Sequence, residues 1–379
     1  MRIVHVYKDY HPPVRGGVEQ TIERMARWQV AAGHEVSVLV SASGGRHDLV
    51  EEIDGVRVVR VAEWARALSS PICPGFPRAL ARERADLWHL HSPNPLGEVS
   101  YRWARPEGAL LITYHGDVTK QKPLLPLYRP LVHALFREAN VLHATSSRAL
   151  DRPGSLVKPF HERFRVVPLG VDAAPLFALD RSRPAAGLLR ERYGDPHLLF
   201  VGRLRYYKGL HVLLDAMPAI EAPLVIVGNG PMDRALRAQA ARLGLDDRVH
   251  FVGPVSDDVL LDHLAAAGIG LLPSSTPTEA FGLALVEYMA AGLPVVCTEL
   301  GTGTSFVNQH GETGLVVRAN DPGALADAVN RLLADRGLRE RMGRAGRERV
   351  RDRFTTEVMM RGMDCLYAEA IRLAGARGR

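Results

Sequence analysis

The chain has 379 residues, 46% of them hydrophobic, and 48 lysines and arginines against 42 aspartates and glutamates give a net charge of +6. This length indicates two or three domains with sizeable cores, and no apolar run is long enough to span a bilayer. The three cysteines lie far apart in sequence, which argues against a disulfide framework or a cysteine zinc site. Since the N-terminus lacks a signal-peptide core, the sequence predicts a cytoplasmic protein.

All of the net charge falls within residues 1–170, where 23 basic residues outnumber 17 acidic ones. The basic residues are dispersed and are not interleaved with aromatic residues, so we do not expect nucleic acid as a partner. An anionic membrane surface, a phosphate-bearing acceptor or an ordinary arginine-rich surface would each account for the excess. Peripheral contact with the inner face of a membrane therefore stays open, and the sequence gives no oligomeric state.

Strand and helix patterns alternate along the chain, which is typical of parallel sheets. In the first half a helix is predicted at residues 18–32, between strands at 3–7, 35–40, 56–61, 87–90, 110–114 and 141–144. An irregular stretch at 170–184 follows, and strands resume at 198–201, 224–227, 249–252, 269–272, 295–297 and 315–317. We therefore predict an α/β protein with two doubly wound, Rossmann-like domains, residues 1–169 and 170–354, facing across a cleft.

Two glutamates, Glu279 and Glu287, are separated by seven residues. We expect Glu279 in the loop before a helix and Glu287 about two turns inside that helix. The amides from Phe281 to Leu283 suit phosphate or sugar oxygens, and Gly282 has no side chain to keep a ligand away. Carboxylates accept hydrogen bonds from sugar hydroxyls, so the segment suits a nucleotide sugar. A helix-start acid followed by an exposed helix acid is the alternative.

Cations and glycines follow the first strand of each half. Arg203 and Lys208 come after the strand at 198–201, where they would stabilise a departing diphosphate. Gly16 and Gly17 stand between the first strand and a helix, where backbone amides bind phosphate. They do not match the G-x-G-x-x-G fingerprint of dinucleotide-binding folds. Solvated cations and a plain turn are the alternatives.

Polar residues also end other strands of the first half. His115 closes an apolar strand, so its ring is expected to face the cleft, although a lone histidine there is usually structural. His91 ends the preceding strand, Asp9 lies in the first loop, and Asp117 follows His115. We assign Asp9, His91 and Asp117 to the acceptor side.

The segment from Glu279 to Glu287 resembles the E-x7-E motif of retaining glycosyltransferases of family 4, which have the GT-B fold. Further motifs follow in the order that the family shows and cover almost the whole chain. They are R-G-G-V-E at 15–19, Y-H-G-D at 114–117, P-L-G-V-D at 168–172, V-G-R-L at 201–204 with K-G at 208–209, and V-G-N-G-P at 227–231. The loop at 299–306 departs from the usual family segment and is similar to a subgroup containing bacterial polysaccharide mannosyltransferases.

The resemblance implies a metal-independent, retaining hexosyltransferase without a cofactor. It would move a hexose-type sugar from a UDP- or GDP-sugar to a hydroxyl acceptor. That acceptor would be a polysaccharide or lipid-linked precursor, or a small molecule of an antibiotic pathway. The second domain would bind the donor, and the last helix, about residues 355–379, would pack back onto the first domain.

The resemblance also implies a role for each matched residue. Glu287 would hold the ribose, Glu279 the sugar hydroxyls, and His115 would contact the donor sugar near the reacting atoms. The remaining matched groups would hold the diphosphate: Arg203, Lys208, Gly16 and Gly17. Two alternatives stay open, a sugar-nucleotide epimerase and a non-catalytic sugar-nucleotide-binding protein.

Overall fold

The computed structural model describes residues 1–14, 16–67, 70–117, 125–152 and 155–377. Contacts within the chain divide it into two compact units. Unit 1 comprises Met1–Leu169 and Thr356–Arg379, and unit 2 comprises Gly170–Thr355. Each unit contains a parallel sheet with helices in its connections.

In the described part of unit 1 the main sheet has eight strands, and two further short strands pair with each other. The ten strands are β1 Arg2–Val6, β2 Glu35–Ser41, β3 Leu49–Ile53, β4 Val56–Val61, β5 Ala65–Ala67, β6 Ser70–Ile72, β7 Leu87–Ser92, β8 Ala109–Tyr114, β9 Val141–Ala144 and β10 Phe164–Val166. Their order in the sheet is β10-β9-β8-β7-β1-β2-β4-β3, where only β3 runs antiparallel to its neighbour. The strands β5 and β6 form a separate antiparallel pair.

The helices of unit 1 lie in the connections between these strands and at the C-terminus. They are α1 Gly17–Ala31, α2 Phe76–Arg82, α3 Pro95–Ala104, α4 Leu125–Glu138, α5 Ser147–Asp151 and, after unit 2, α15 Thr356–Arg377. The strands β7 and β8 are buried along their whole length, as expected for a parallel sheet covered on both faces. The helix α15 packs against β8 and α1.

Unit 2 contains a six-stranded, all-parallel sheet. Its strands are β11 Leu198–Val201, β12 Leu224–Val227, β13 Val249–Gly253, β14 Ile269–Leu272, β15 Val295–Glu299 and β16 Gly314–Arg318, in the order β13-β12-β11-β14-β15-β16. Its helices are α6 Ala174–Phe177, α7 Pro184–Tyr193, α8 Leu210–Ala216, α9 Asp233–Arg242, α10 Asp257–Ala266, α11 Leu283–Ala290, α12 Thr304–Val307, α13 Pro322–Ala334 and α14 Arg336–Arg353. The strand order reverses direction beside β11 and β14, and this is where ligands bind in doubly wound sheets.

The predicted parallel α/β architecture is confirmed, because a strand lies at every predicted position. Local chemistry fixes several helix starts: Asp321 accepts a hydrogen bond from the amide of Ala324 at the start of α13, a cap that is worth about 1 kcal/mol. The strands β3 and β10 and the pair of β5 and β6 were not predicted, and β3 is half exposed with consecutive acidic residues at its centre. Within the described residues, no helix is both long and apolar enough to cross a membrane.

Candidate functional site

The centre of the site in unit 2 is an ion pair between Lys208 and Glu279. The Lys208 Nζ lies 2.6 Å from Oε2 of Glu279, and both side chains are nearly buried. Burial alone would lower the pKa of Lys208, but attraction to Glu279, Tyr207 and Glu287 raises it above the usual value. The ammonium is therefore charged at neutral pH, and the two carboxylates of the E-x7-E motif act on the same cation.

Glu279 is held in place by side chains that the sequence analysis did not assign to this role. The buried hydroxyl of Ser274 donates to Oε2 of Glu279 at 3.1 Å, and Thr302 donates to its backbone carbonyl at 2.7 Å. The amide of Gly303 donates to the carbonyl of Ala280 at 2.7 Å. Ser274 and Lys208 both donate to Oε2, and among the described residues none donates to Oε1. That oxygen is left to accept a hydrogen bond from a ligand.

The helix α11 begins later than the sequence analysis expected. Gly282 precedes it with a left-handed backbone (φ 88°), and Leu283 is its first residue. Glu287 therefore lies about one turn inside the helix, so the expectation of two turns was wrong. Phe281 is buried and packs edge-on against Phe354, and Glu279 lies in the preceding loop as predicted.

The turn that carries Lys208 rests on the loop that carries Ser274. The amide of Ser275 donates to the carbonyl of Tyr207 at 2.8 Å, and its hydroxyl contacts the carbonyl of Tyr206. Gly209 has a left-handed backbone (φ 71°), and a Cβ there would lie 1.9 Å from the carbonyl oxygen of Pro273. A glycine at this position is thus required for the two loops to touch.

Arg203 lies on the same side of the sheet but in a different environment. It follows β11 and is exposed, and its guanidinium makes no ion pair or hydrogen bond within the described part of the chain. Its loop is fixed through the backbone, because the amide of Leu204 donates to the carbonyl of Asn229. Lys208 is already paired with a carboxylate, whereas the guanidinium of Arg203 is available to an anionic ligand.

In unit 1, Gly16 and Gly17 form the start of α1. The buried carboxylate of Glu19 folds back against them: a Cβ at Gly16 would lie 2.4 Å from its Oε2. Glu19 thereby supplies negative charge at the positive end of the helix. Contact between these glycines and a diphosphate stays a prediction, and Arg15 lies outside the described residues.

Asp9 and Asp117 both have carboxylates engaged by the protein. Asp9 is buried, and Arg66 donates to its two oxygens at 2.7 and 3.0 Å. Asp117 accepts hydrogen bonds from Tyr114, Arg152, Ser155 and the amide of Leu156. Their placement on the acceptor side stays a prediction, and the observed contacts give both a structural role.

His115 is 8% exposed, and its Nε2 lies 2.9 Å from Nδ1 of His91. His91 is fully buried and its Nε2 contacts His5 at 3.0 Å, which gives it a structural role, and its placement on the acceptor side stays a prediction. Parallel pairing of β1, β7, β8 and β9 brings these side chains together. The signal in the sequence was a histidine inside each of three apolar strands, at His5, His89 and His143.

Among the described residues, one group has the spacing of metal ligands: His5, His89 and His91 each place a ring nitrogen within 4.8 Å of the others. Every ring nitrogen of these three residues already lies within hydrogen-bond distance of a protein atom. A metal would have to displace buried hydrogen bonds, so the donor set does not favour one.

Comparison with known proteins supports one family along the chain. A family model described as "Glycosyltransferase Family 4" matches residues 15–174, and one described as "Glycosyl transferases group 1" matches residues 189–349. The D-rhamnosyltransferase WbpZ of Pseudomonas aeruginosa is 36% identical, with 94% of this chain and 92% of the relative covered. The O-antigen chain mannosyltransferase C of Escherichia coli is 34% identical, with 97% and 98% covered.

Solved structures agree with the fold. Sucrose-phosphate synthase from Thermosynechococcus elongatus matches with a TM-score of 0.80 and 24% identity, over 97% of this chain and 98% of that one. Anabaena HepE in complex with UDP-glucose matches with a TM-score of 0.77 and 20% identity, over 97% and 100%. These likenesses confirm the predicted GT-B fold class. Matched in both halves by these families, the chain belongs to the group 1 glycosyltransferases of family 4.

Proposed function

We propose that unit 2 binds a GDP-hexose of the mannose configuration and that the enzyme transfers this sugar, with retention and without a metal, to a hydroxyl of a growing polysaccharide. The pair of Lys208 and Glu279 carries the proposal. It places a fixed cation beside a carboxylate whose Oε1 has no donor among the described residues, as a sugar diphosphate requires.

The relatives support the choice of sugar and base. Those at 34–36% identity are named as a mannosyltransferase and a D-rhamnosyltransferase, and D-rhamnose is 6-deoxymannose. A further relative, 32% identical over 92% of this chain, is named as GDP-mannose-dependent. The competing donor nucleotide is UDP, whose base is uracil instead of guanine. The name of the Escherichia coli relative refers to O-antigen chains, which supports a polysaccharide acceptor.

In the proposed reaction the acceptor hydroxyl oxygen bonds to C1 of the sugar while the bond from C1 to the β-phosphate oxygen breaks. The departing phosphate oxygen takes the hydroxyl proton on the same face, so the configuration at C1 is kept. Negative charge grows on the diphosphate as the bond breaks, and Lys208 and Arg203 offset it. Glu279 accepts hydrogen bonds from the sugar hydroxyls, and Glu287 holds the ribose.

Calorimetry with GDP, UDP and their mannose and glucose conjugates, with and without EDTA, tests the donor. We expect GDP and GDP-mannose to bind, with affinities that EDTA leaves unchanged. Preference for UDP would overturn the proposed base, and loss of transfer with EDTA would overturn metal independence. Binding without any transfer to polysaccharide primers would favour the non-catalytic alternative, and epimerised donor would favour the epimerase.

Two substitutions test the assigned roles. We expect Arg203→Ala to lower kcat by about 10²–10³-fold, as for removal of one group that stabilises transition-state charge. The matched control is Arg331→Ala, an exposed arginine on α13. Glu279→Ala should abolish most transfer and leave GDP binding partly intact. Normal kcat in Arg203→Ala, or normal transfer in Glu279→Ala, would contradict the respective role.

A further inference from the structure

A continuous line of hydrogen bonds runs through the core of unit 1. We call it the histidine network, and its members are Gln29, Thr113, Tyr367, the carbonyl of Val167, and five histidines, His5, His89, His91, His115 and His143. Its eight contacts measure between 2.6 and 3.1 Å. All the participating side chains except that of His115 are 0% exposed, and His115 is 8% exposed.

The five histidines are neutral at physiological pH. Burial lowers the pKa of His115 to about 3 and those of His5 and His143 to about 4. Burial also lowers the pKa values of His89 and His91 well below the usual value. Each ring therefore has one N–H and one lone pair, so one hydrogen bond of known direction fixes the direction of the next.

The direction is set at the Val167 end. A carbonyl can only accept, so His143 donates from Nε2 to Val167 and carries its lone pair on Nδ1. Thr113 must then donate to His143, and His89 must donate from Nε2 to Thr113. The lone pair of His89 is left on Nδ1, where it accepts from the hydroxyl of Tyr367.

The same reasoning continues to the exposed end. Because the proton of Tyr367 is used, its oxygen accepts from the amide nitrogen of Gln29. The amide oxygen of Gln29 accepts from Nε2 of His5, whose Nδ1 accepts from Nε2 of His91. Nδ1 of His91 accepts from Nε2 of His115. One proton assignment satisfies all eight contacts, and it leaves the lone pair of His115 on Nδ1.

We propose that the buried members of the histidine network are positioning residues. They hold His115 in the tautomer with its proton on Nε2, so that Nδ1 can accept a hydrogen bond from a ligand hydroxyl and cannot donate one. Its use in sugar transfer rests on the proposed function, whereas the tautomer itself does not. Both ring nitrogens of His5, His89 and His91, the three residues with metal-like spacing, are engaged by protein atoms, so the network fixes orientation instead of binding an ion. Tyr367 makes this orientation depend on α15, the helix that returns to unit 1.

The test is the tautomer of His115 in the full-length protein, read by NMR with ¹⁵N-labelled histidine rings. The resonance is assigned by its loss in His115→Asn. We expect a single neutral tautomer at pH 7.5, with the proton on Nε2. A proton on Nδ1, a mixture of tautomers, or a cationic ring in the wild type would overturn the proposal.

Two variants cut the network at different points. Tyr367→Phe removes one hydroxyl and frees the Gln29 amide to turn, and Thr113→Val removes the link to His143. Either cut separates His115 from the carbonyl of Val167. The hydrogen bonds between the cut and His115 can then reverse direction without leaving that carbonyl without a donor. We therefore expect the population of the Nδ1–H tautomer of His115 to rise by about tenfold or more. The control is Tyr101→Phe, a buried tyrosine that packs against Trp88 outside the network.

Activity separates this proposal from the proposed function. If both hold, Tyr367→Phe and Thr113→Val lower kcat for sugar transfer about tenfold, while Tyr101→Phe does not. A wild-type enzyme without transfer activity would contradict the proposed function and leave the NMR result to decide the tautomer. An unchanged His115 tautomer in both folded variants would overturn the positioning role. If one variant does not fold, the other variant and the wild-type spectrum decide.

Discussion

Replacing Gly209 by alanine should disrupt the contact between the Lys208 turn and the Ser274 loop. The new Cβ would lie 1.9 Å from the carbonyl oxygen of Pro273, where ordinary contacts begin at 3.4 Å, so the two loops must separate by about 1.5 Å. Left-handed backbone costs a non-glycine residue about 1–2 kcal/mol. Overpacking against backbone adds about 2–3 kcal/mol. We therefore expect Gly209→Ala to destabilise unit 2 by about 3–5 kcal/mol.

Gly244 offers a matched control in the same unit. Its φ of 66° is close to the 71° of Gly209, but nothing lies within 4 Å of the Cβ that alanine would add. Gly244→Ala should therefore show the backbone cost of about 1–2 kcal/mol alone. At about 2–4 °C per kcal/mol, differential scanning calorimetry should show a fall in Tm of about 6–20 °C for Gly209→Ala and about 2–8 °C for Gly244→Ala.

Nucleotide binding gives the second readout. Because separation of the loops moves Lys208 away from Glu279, Gly209→Ala should weaken GDP binding at a temperature where the variant is still folded. Gly244→Ala should bind GDP as the wild type does. Equal falls in Tm for the two variants would refute the argument from the Pro273 contact. A large fall in Tm with unchanged GDP affinity would refute the link between that contact and the site.

Three further predictions follow from the contacts in each unit. Glu279→Gln should destabilise unit 2 by about 3 kcal/mol, since Lys208 stays buried without its counterion; the double variant with Lys208→Met should recover part of this loss in thermal unfolding. Unit 1 should lose stability as pH falls from about 6.5, the unfolded histidine pKa, towards the folded values of about 4 for His5 and about 3 for His115, because protons bind the unfolded chain first; calorimetry from pH 7.5 to 4.5 should show a falling Tm, and a constant Tm would contradict this. Asp117→Ala should lower stability by about 2 kcal/mol, because the hydroxyl of Tyr114 and the amide of Leu156 lose their acceptor; an effect on acceptor KM without a fall in Tm would instead support the acceptor-side role.

The buried parallel strands could be predicted because local patterns determine them. Runs such as Leu198–Val201 and Leu224–Val227 are apolar at every position, as strands covered on both faces must be. The edge strand β3 has neither a continuous apolar run nor a strict alternation of apolar and polar residues, since its half-exposed residues include two consecutive glutamates. It is held by antiparallel pairing with β4, which depends on a partner outside the local sequence window.

The site shows the same division between local and distant causes. The loop position of Glu279 followed from the turn-rich sequence before a helix, whereas its contact with Thr302, 23 residues later, depends on how two strands, β14 and β15, place their following loops. The predicted position of Glu287 within its helix was wrong by about one turn, because Gly282 has a left-handed backbone and the helix begins only after it. Asp9 is engaged by Arg66, 57 residues later, and no local pattern predicts such a pair.

The two units stabilise their buried polar groups by different means. In unit 2, a charged pair is buried, and breaking it leaves an uncompensated ion in a medium of low dielectric. In unit 1, His5, His89, His91 and His143 are neutral and hydrogen-bonded at both ring nitrogens, so these hydrogen bonds offset the cost of their burial. A neutral network has a further property that an ion pair lacks, because the direction of one hydrogen bond fixes the direction of the next. Val167 at one end can therefore determine which nitrogen His115 presents at the other, through side chains that are fully buried.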